Sequence, residues 1–119
     1  MKKQHQVILS IGTNKGNRLD NIVSCIDGLH NEIGTLIRVS KLYETPSWGF
    51  ESEKFYNCAV VMHTHKTAHQ LLDECLLLEE SLGRVRVEAE GYQSRIIDID
   101  VIAFDEEIIA SDKLQVPHP

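Results

Sequence analysis

The order of hydrophobic periodicities along the chain is the feature that most constrains its fold. Strand-like alternation of apolar and polar residues occupies residues 6–12, 35–43, 55–64 and 96–104. Apolar residues at helical spacing follow the first and the third of these segments. The resulting β-α-β-β-α-β order predicts an α+β fold of the ferredoxin-like type, a four-stranded antiparallel sheet with both helices on one face and the first and third strands at its centre.

The predicted helices have identifiable ends. Asn17 is expected to cap the first helix and Gly34 to follow its end, while Thr67 begins the second in a capping-box pattern and Gly83 ends it. No helix is predicted over the second face of the sheet, so polar side chains there require solvent or a ligand. The tail, 105–119, is expected to be irregular. The apolar stripes are Leu19, Ile22, Val23, Ile26, Leu29 and Ile33 in the first helix, and Leu71, Cys75, Leu78 and Leu82 in the second.

Length and composition set further limits. A chain of 119 residues predicts one domain, 1–119, and its net charge of −6 disfavours a nucleic-acid partner. Its three cysteines fit no zinc or redox spacing and are expected to be buried thiols. No apolar run approaches a membrane span and no signal peptide is recognisable, so we expect a cytoplasmic protein with no membrane partner, and a monomer.

Asp98 and Asp100 form the sharpest local feature. Residues two apart on a strand point the same way, so both carboxylates are expected on one face while Ile97, Ile99 and Val101 enter the core. Two adjacent negative charges repel each other, and a hard divalent cation such as Mg²⁺ removes that penalty. A solvated polar face of an edge strand explains an isolated pair equally well.

Three arginines lie close to this pair in an otherwise acidic chain. Arg84, Arg86 and Arg95 carry guanidinium groups that suit phosphate oxygens. Carboxylates for a metal beside arginines on a loop indicate phosphoryl-type transfer. Ion pairs with the surrounding acidic residues are the alternative for the arginines.

The third predicted strand begins with a candidate pocket for a flat heterocycle. Phe55 and Asn57 share the uncovered face, where an aromatic ring and an amide can stack and hydrogen-bond. The only tryptophan, Trp48, lies in the preceding loop. A surface aromatic, a strand-end Asn and a core Trp are the structural alternatives.

His63, His65 and His69 form a third candidate cluster. The first two share a predicted strand and the third follows a turn, in a helix. Metal binding is one reading of the three imidazoles, and solvated histidines at a sheet edge are the preferred one.

Taken in order, several segments resemble the hydroxymethyldihydropterin pyrophosphokinases over nearly the whole chain. The segments are Ile11-Gly12-Thr13-Asn14, Tyr43-Glu44-Thr45-Pro46, Phe55-Tyr56-Asn57, Glu79-Glu80-Ser81-Leu82-Gly83-Arg84, Ser94-Arg95-Ile96-Ile97-Asp98-Ile99-Asp100 and Val116-Pro117-His118-Pro119. The resemblance implies a ferredoxin-like enzyme of folate biosynthesis. It also implies that pyrophosphate passes from MgATP to the hydroxymethyl group of 6-hydroxymethyl-7,8-dihydropterin and that AMP leaves.

The resemblance also implies residue roles. Asp98 and Asp100 would hold two Mg²⁺ ions, and with Arg84 and Arg95 they form the catalytic set. Phe55 stands where the family often has Tyr, and Tyr92 where many members have Trp. The expected ATP-binding residues are Glu79, Arg84, Arg86, Tyr92, Arg95 and His118. The expected pterin-site residues are Gly12, Thr13, Asn14, Thr45, Pro46, Trp48, Phe55 and Asn57.

Family members usually continue beyond the segment that matches Val116–Pro119. That continuation supplies another phosphate-binding arginine and a second aromatic against the pterin. Two alternatives to a fully active enzyme therefore stay open. One is a shortened relative that binds ATP or pterin and turns over poorly, and the other is a non-catalytic ferredoxin-like regulatory domain.

Overall fold

The computed structural model describes residues 3–46, 54–83 and 97–119. The elements follow the predicted order with additions in the second strand and in the tail. The strands are β1 His5–Thr13, β2 Thr35–Val39, β3 Tyr43–Thr45, β4 Phe55–Thr64, β5 Asp98–Phe104, β6 Ile109–Ala110 and β7 Gln115–Val116, and the helices are α1 Arg18–Glu32 and α2 Ala68–Ser81.

The main sheet has the strand order β2-β4-β1-β5, with every pairing antiparallel, and β3 also pairs with β4. The first and third predicted strands, now β1 and β4, therefore lie at the centre, which confirms the ferredoxin-like arrangement. β5 forms one edge of the sheet, and β2 and β3 together occupy the other.

The core lies between the helices and one face of the sheet. Val7, Leu9 and Ile11 of β1 are fully buried, and the residues between them are not. The same alternation runs through β4 and β5, and it confirms that Ile97, Ile99 and Val101 point into the core. The other face of the sheet carries the half-buried residues of each strand, and we call it the open face.

Caps and close contacts define the helix ends. The Asn17 side chain accepts from the backbone N–H of Asp20, and both bonds of the predicted capping box join Thr67 and Gln70. Gly83 follows α2 with a positive φ of 103°, as a helix-ending glycine does. Gly34 follows α1 for another reason, because a Cβ there would overlap the carbonyl oxygen of His63 in β4.

Two expectations about strands and one about α1 are corrected by the structure. Residues 35–43 do not form one strand, because at Ser40 the side-chain oxygen takes the place of a backbone acceptor and receives the N–H of Ala59 at 2.8 Å. The tail is not irregular throughout: β6 and β7 pair, and β7 buries Val116 in the core. In α1, Leu19 and Val23 are 54% and 50% exposed, so they lie outside the buried stripe.

The three cysteines are buried and reduced, as the sequence predicts. Burial raises the pKa of the Cys58 thiol and, aided by the charges of Glu79 and Glu74, raises the pKa of Cys75 to about 12. Such thiols are unreactive packing groups. Among the described residues, no helix is long and apolar enough to cross a membrane.

Candidate active site on the open face

Antiparallel pairing brings three segments that are distant in sequence, those containing Gly12, Asn57 and Asp98, to one end of the sheet. The C-terminal end of β1 lies beside the N-terminal ends of both β4 and β5. Gly12 is paired with Asn57 on one side and with Asp98 on the other. Directly paired residues share a face, so Asn57, Gly12 and Asp98 form a row across the open face. The next row on that face consists of Ala59, Ser10 and Asp100.

The two aspartates occupy successive rows of the open face. They alternate with the buried Ile97 and Ile99, and the side chain of Asp100 is 44% exposed. This confirms the prediction that both carboxylates point to one face of the sheet, opposite the core. Two half-exposed carboxylates on one strand fit a Mg²⁺ ion, which typically takes one or two protein carboxylates and completes its shell with water and phosphate oxygens.

His118 reaches the same place from the tail. Its backbone N–H donates to the carbonyl oxygen of Ile102 in β5 at 2.9 Å. Its Nε2 lies 3.8 Å from Oδ1 of Asp100, within ion-pair range when the imidazole is protonated. The tail thereby places a histidine, predicted for the ATP site, next to the acidic pair.

A cavity of about 240 Å³ adjoins Asp100 and His118. Apolar side chains from α2, β5 and the tail meet there with one amine and one amide. Its lining comprises Leu72, Ile99, Asp100, Val101, Lys113, Leu114, Gln115, His118 and Pro119. A mixed lining of this kind suits a ligand that has an apolar body and a few polar groups.

Four of the predicted pterin residues, on β4 and at the end of β3, line an open cavity of about 470 Å³ at the same end of the sheet. They are Thr45, Pro46, Phe55 and Asn57. Nδ2 of Asn57 donates to Oγ1 of Thr45 at 2.8 Å, so the hydroxyl fixes the direction of the amide. This cavity combines an aromatic ring with an oriented amide, as the sequence predicts.

Gly12 leaves the space between this cavity and the acidic pair open. A Cβ on Gly12 would come within 3.1 Å of Oδ1 of Asn57 and 3.7 Å of Cδ1 of Phe55. The absence of a side chain is therefore what allows the amide oxygen to face the middle of the row.

Thr13 and Asn14 have their side chains in the interior. Thr13 is fully buried, and its Oγ1 accepts from Nδ2 of Asn21 in α1 at 3.2 Å. Asn21 also donates to the carbonyl oxygen of Lys15 at 2.8 Å, and Asn14 is only 2% exposed. These contacts tie the end of β1 to the start of α1. Direct contact of Thr13 and Asn14 with substrate stays a prediction.

Glu79 is a buried carboxylate behind the acidic pair. It is 2% exposed, and its Oε2 accepts from the backbone N–H of Ile99 at 2.6 Å. One feature of the sequence indicates that Glu79 is buried, because it lies four residues after Cys75, within the buried stripe of α2. Residue pattern alone did not predict the bond to β5.

Five predicted site residues fall outside the described residues: Trp48, Arg84, Arg86, Tyr92 and Arg95. The histidine cluster is described, and His65 and His69 bond to Lys3 and Ser111 rather than to each other. Within residues 3–46, 54–83 and 97–119, no group of three or more metal-binding side chains occurs.

The fold and the open face define a class of protein, a ferredoxin-like α+β domain that places a carboxylate pair beside an aromatic and amide pocket. Residues 8–119 match the family model described as 7,8-dihydro-6-hydroxymethylpterin-pyrophosphokinase. The chain belongs to this family of folate-pathway enzymes, which use ATP as co-substrate and transfer pyrophosphate to hydroxymethyldihydropterin.

Relatives from bacteria and fungi support this membership. The chain is 36% identical over 112 residues to a 2-amino-4-hydroxy-6-hydroxymethyldihydropteridine pyrophosphokinase of Methylorubrum extorquens, covering 92% of this chain and 70% of the relative. It is 34% identical over 116 residues to the enzyme of the same name from Porphyromonas gingivalis, covering 95% and 79%. It is 36% identical over 114 residues to the folic acid synthesis protein fol1 of Pneumocystis carinii, of which it spans only 15%.

A solved structure confirms the fold. The Plasmodium falciparum HPPK-DHPS superposes with a TM-score of 0.70 at 18% identity, over 92% of this chain and 31% of that one. Several relatives are thus much longer than this chain.

Proposed function

We propose that this chain transfers pyrophosphate from MgATP to the hydroxymethyl oxygen of 6-hydroxymethyl-7,8-dihydropterin. The hydroxyl oxygen bonds to the β-phosphorus and loses its proton. The bond between that phosphorus and the oxygen bridging to the α-phosphate breaks, and AMP leaves with the bridging oxygen. No covalent intermediate with the protein is involved.

The row Asn57–Gly12–Asp98 is the observation that carries this proposal. The cavity that Asn57 lines and the carboxylate pair lie on one face, separated only by a residue without a side chain. A transfer between two small molecules requires them to lie side by side in line, and such placement supplies much of the rate.

On the pterin side, the chain supplies orientation. The Phe55 ring offers a stacking surface, and Asn57 is fixed by Thr45 so that its carbonyl oxygen can accept from a heterocycle N–H. Trp48 and Pro46 are assigned to the same pocket. These contacts would aim the hydroxymethyl group along the row toward Asp98.

On the nucleotide side, the chain supplies charge. Asp98 and Asp100 would hold Mg²⁺, which when bound neutralises the charge of the triphosphate. Two ions are proposed, as the family resemblance implies. The cavity beside Asp100 and His118 is assigned to the nucleoside part of ATP. Further ATP contacts, chiefly to the phosphates, are assigned to Arg84, Arg86, Tyr92 and Arg95.

Product analysis by ³¹P NMR tests the proposal. Purified protein with MgATP and 6-hydroxymethyl-7,8-dihydropterin is expected to give AMP and a pterin diphosphate in equal amounts. ADP with a pterin monophosphate would contradict the proposal, as would no product above the level of a protein-free control.

Calorimetry with the same protein separates the alternatives. MgATP binding without turnover would indicate a shortened binding form. Ligand affinities unchanged by Asp98→Ala and Asp100→Ala would indicate a domain without this chemistry.

A further inference from the structure

The carboxylate pair lies on an edge strand whose outer side needs hydrogen-bond partners. Among the described residues, β5 pairs only with β1 in the main sheet. In an antiparallel ladder, alternate residues direct their N–H and C=O groups away from the partner strand. Ile99, which stands opposite Ile11, is such a residue, because its N–H is bonded to Glu79.

Two groups from elsewhere in the chain satisfy this outer edge. Oε2 of Glu79 accepts the Ile99 N–H at 2.6 Å, and the backbone N–H of His118 donates to the carbonyl oxygen of Ile102 at 2.9 Å. The first bond falls on the residue between the two aspartates. It therefore fixes the peptide plane between Asp98 and Ile99, and through the Cα of Ile99 it restrains the start of the peptide unit that leads to Asp100.

Burying the carboxylate of Glu79 costs free energy, because the charged group loses its hydration. Glu79 is 2% exposed, and it stands in the stripe of α2 where Leu71, Cys75 and Leu78 pack into the core. Its closeness to the thiols is visible in Cys75, whose pKa is raised by burial first and then by the negative charge of Glu79. An apolar residue would continue the stripe without this desolvation penalty, so packing alone does not account for an acid at this position.

We infer that Glu79 is a positioning residue for the metal pair, acting through the Ile99 N–H to hold Asp98 and Asp100 at the spacing that Mg²⁺ requires. This inference rests on the proposed function and deepens it. The resemblance places Glu79 at the ATP site; the structure assigns it to the backbone behind the carboxylates. Replacing a partner that orients metal ligands in this way typically costs about 10- to 100-fold in metal affinity or activity.

The test uses two substitutions that differ in one property. Glu79→Gln keeps an oxygen acceptor for the Ile99 N–H and loses the charge, while Glu79→Leu loses the acceptor and fills the space. Glu80→Gln and Glu80→Leu, at the exposed neighbouring position of α2, are the matched controls. Thermal melts of each variant set a working temperature at which all are folded.

Mg²⁺ dependence is the first readout. Glu79→Leu is expected to raise the Mg²⁺ concentration for half-maximal AMP release by about 10- to 100-fold, with the KM for ATP at saturating Mg²⁺ unchanged. Glu79→Gln is expected to stay within about twofold of the parent protein, as the acceptor is retained. The inference would be overturned if Glu79→Leu changed the half-maximal Mg²⁺ concentration by less than twofold, or if both variants raised it equally. A raised KM for ATP with unchanged Mg²⁺ dependence would show direct nucleotide contact instead.

Two measurements remain informative if the parent protein shows no turnover. One is calorimetric titration of Mg²⁺ in the presence of α,β-methylene-ATP, in which a methylene group replaces the oxygen between the α- and β-phosphates. The Mg²⁺ affinities of the variants are expected to follow the same order as in the activity assay. Amide hydrogen exchange at Ile99 is expected to be faster in Glu79→Leu and near the parent rate in Glu79→Gln. Unchanged Ile99 exchange in Glu79→Leu would refute the positioning role, whereas absent turnover alone would refute only the proposed function.

Discussion

At the scale of single residues, the close approach of the Asn57 cavity and the carboxylate pair is the main feature of the candidate site. Gly12 contributes only backbone between Asn57 and Asp98, and Thr45 fixes the amide of Asn57 with one hydrogen bond of 2.8 Å. The sequence predicted which residues would share the open face, because strand alternation determines direction. It did not predict the Thr45–Asn57 bond, because that bond depends on which strands are neighbours.

Replacing either aspartate tests the charge assigned to the pair. Asp98→Asn and Asp100→Asn are each expected to lower kcat/KM by about 100- to 1000-fold, the usual cost of removing a group that stabilises developing charge. Steady-state AMP release measures this loss, at a temperature at which thermal melts show each variant to be folded, with Asp27→Asn on the exposed side of α1 as control. Activity within threefold of the parent would contradict the assignment.

Replacing Thr45 tests the orientation of the amide. Thr45→Val keeps the shape and removes the acceptor, so the KM for the pterin is expected to rise about tenfold, the equivalent of one hydrogen bond. The KM for ATP should not change. Thr35→Val, near the other end of the sheet on β2, serves as control. Equal changes in both KM values would argue against a role confined to the pterin cavity.

Asp105 makes the stability of the fold depend on pH. It bonds to His5 at 2.7 Å and to the Gln6 N–H at 2.7 Å, and these bonds lower the pKa of its carboxyl group. A lowered native pKa stabilises the folded state above the ordinary Asp pKa of about 4, and this contribution is lost as the pH falls through the lowered value.

Urea unfolding at two pH values measures this contribution. Asp105→Asn tolerates the positive φ of 51° at this position. It is expected to be less stable than the parent at pH near 6, with a smaller difference at pH near 3. Asp112→Asn, an exposed change in the tail, is the control. A difference that stays constant or grows toward low pH would refute the assignment.

At the scale of elements, one tight contact joins the end of α1 to β4. Gly34→Ala is expected to lower the free energy of unfolding by about 1–3 kcal/mol, because its methyl group would overlap the carbonyl oxygen of His63, which cannot move without disturbing the strand. Gly28→Ala is the comparison: its methyl would meet Cδ1 of the buried Leu78 at 2.6 Å, and the end of a side chain can shift more easily than a strand carbonyl. Urea unfolding followed by circular dichroism compares them, and equal losses would contradict this account.

Sequence patterns predicted most of these elements for physical reasons. The capping residues Asn17 and Thr67 and the alternation of β1 and β4 depend on local chemistry, and each is confirmed. The break at Ser40 and the pairing of β6 with β7 depend on contacts with distant strands or between short segments. Periodicity cannot report such contacts. Helical spacing likewise included Leu19 and Val23, since it does not show how wide the buried stripe is.

At the scale of the whole molecule, one face of the sheet builds the core and the other builds the site. The helices bury alternate strand residues, so the intervening residues remain on the open face, where the cavity proposed for the pterin lies beside the carboxylate pair. Glu79 connects the two faces, because it lies in the core and bonds to the strand that carries both aspartates. The monomeric state and the cytoplasmic location stay predictions.

The central claim is that metal-nucleotide and pterin bind next to each other at this end of the open face. Mn²⁺ prefers the same oxygen ligands as Mg²⁺, and because it is paramagnetic it broadens the NMR signals of amides that lie close to it. With α,β-methylene-ATP present, Mn²⁺ is expected to broaden the amides of Asp98 and Gly12, and added pterin to shift those of Gly12 and Asn57. Broadening centred instead on Thr35 and Lys66, at the opposite end of the sheet, or no effect of pterin on Gly12 and Asn57, would contradict it.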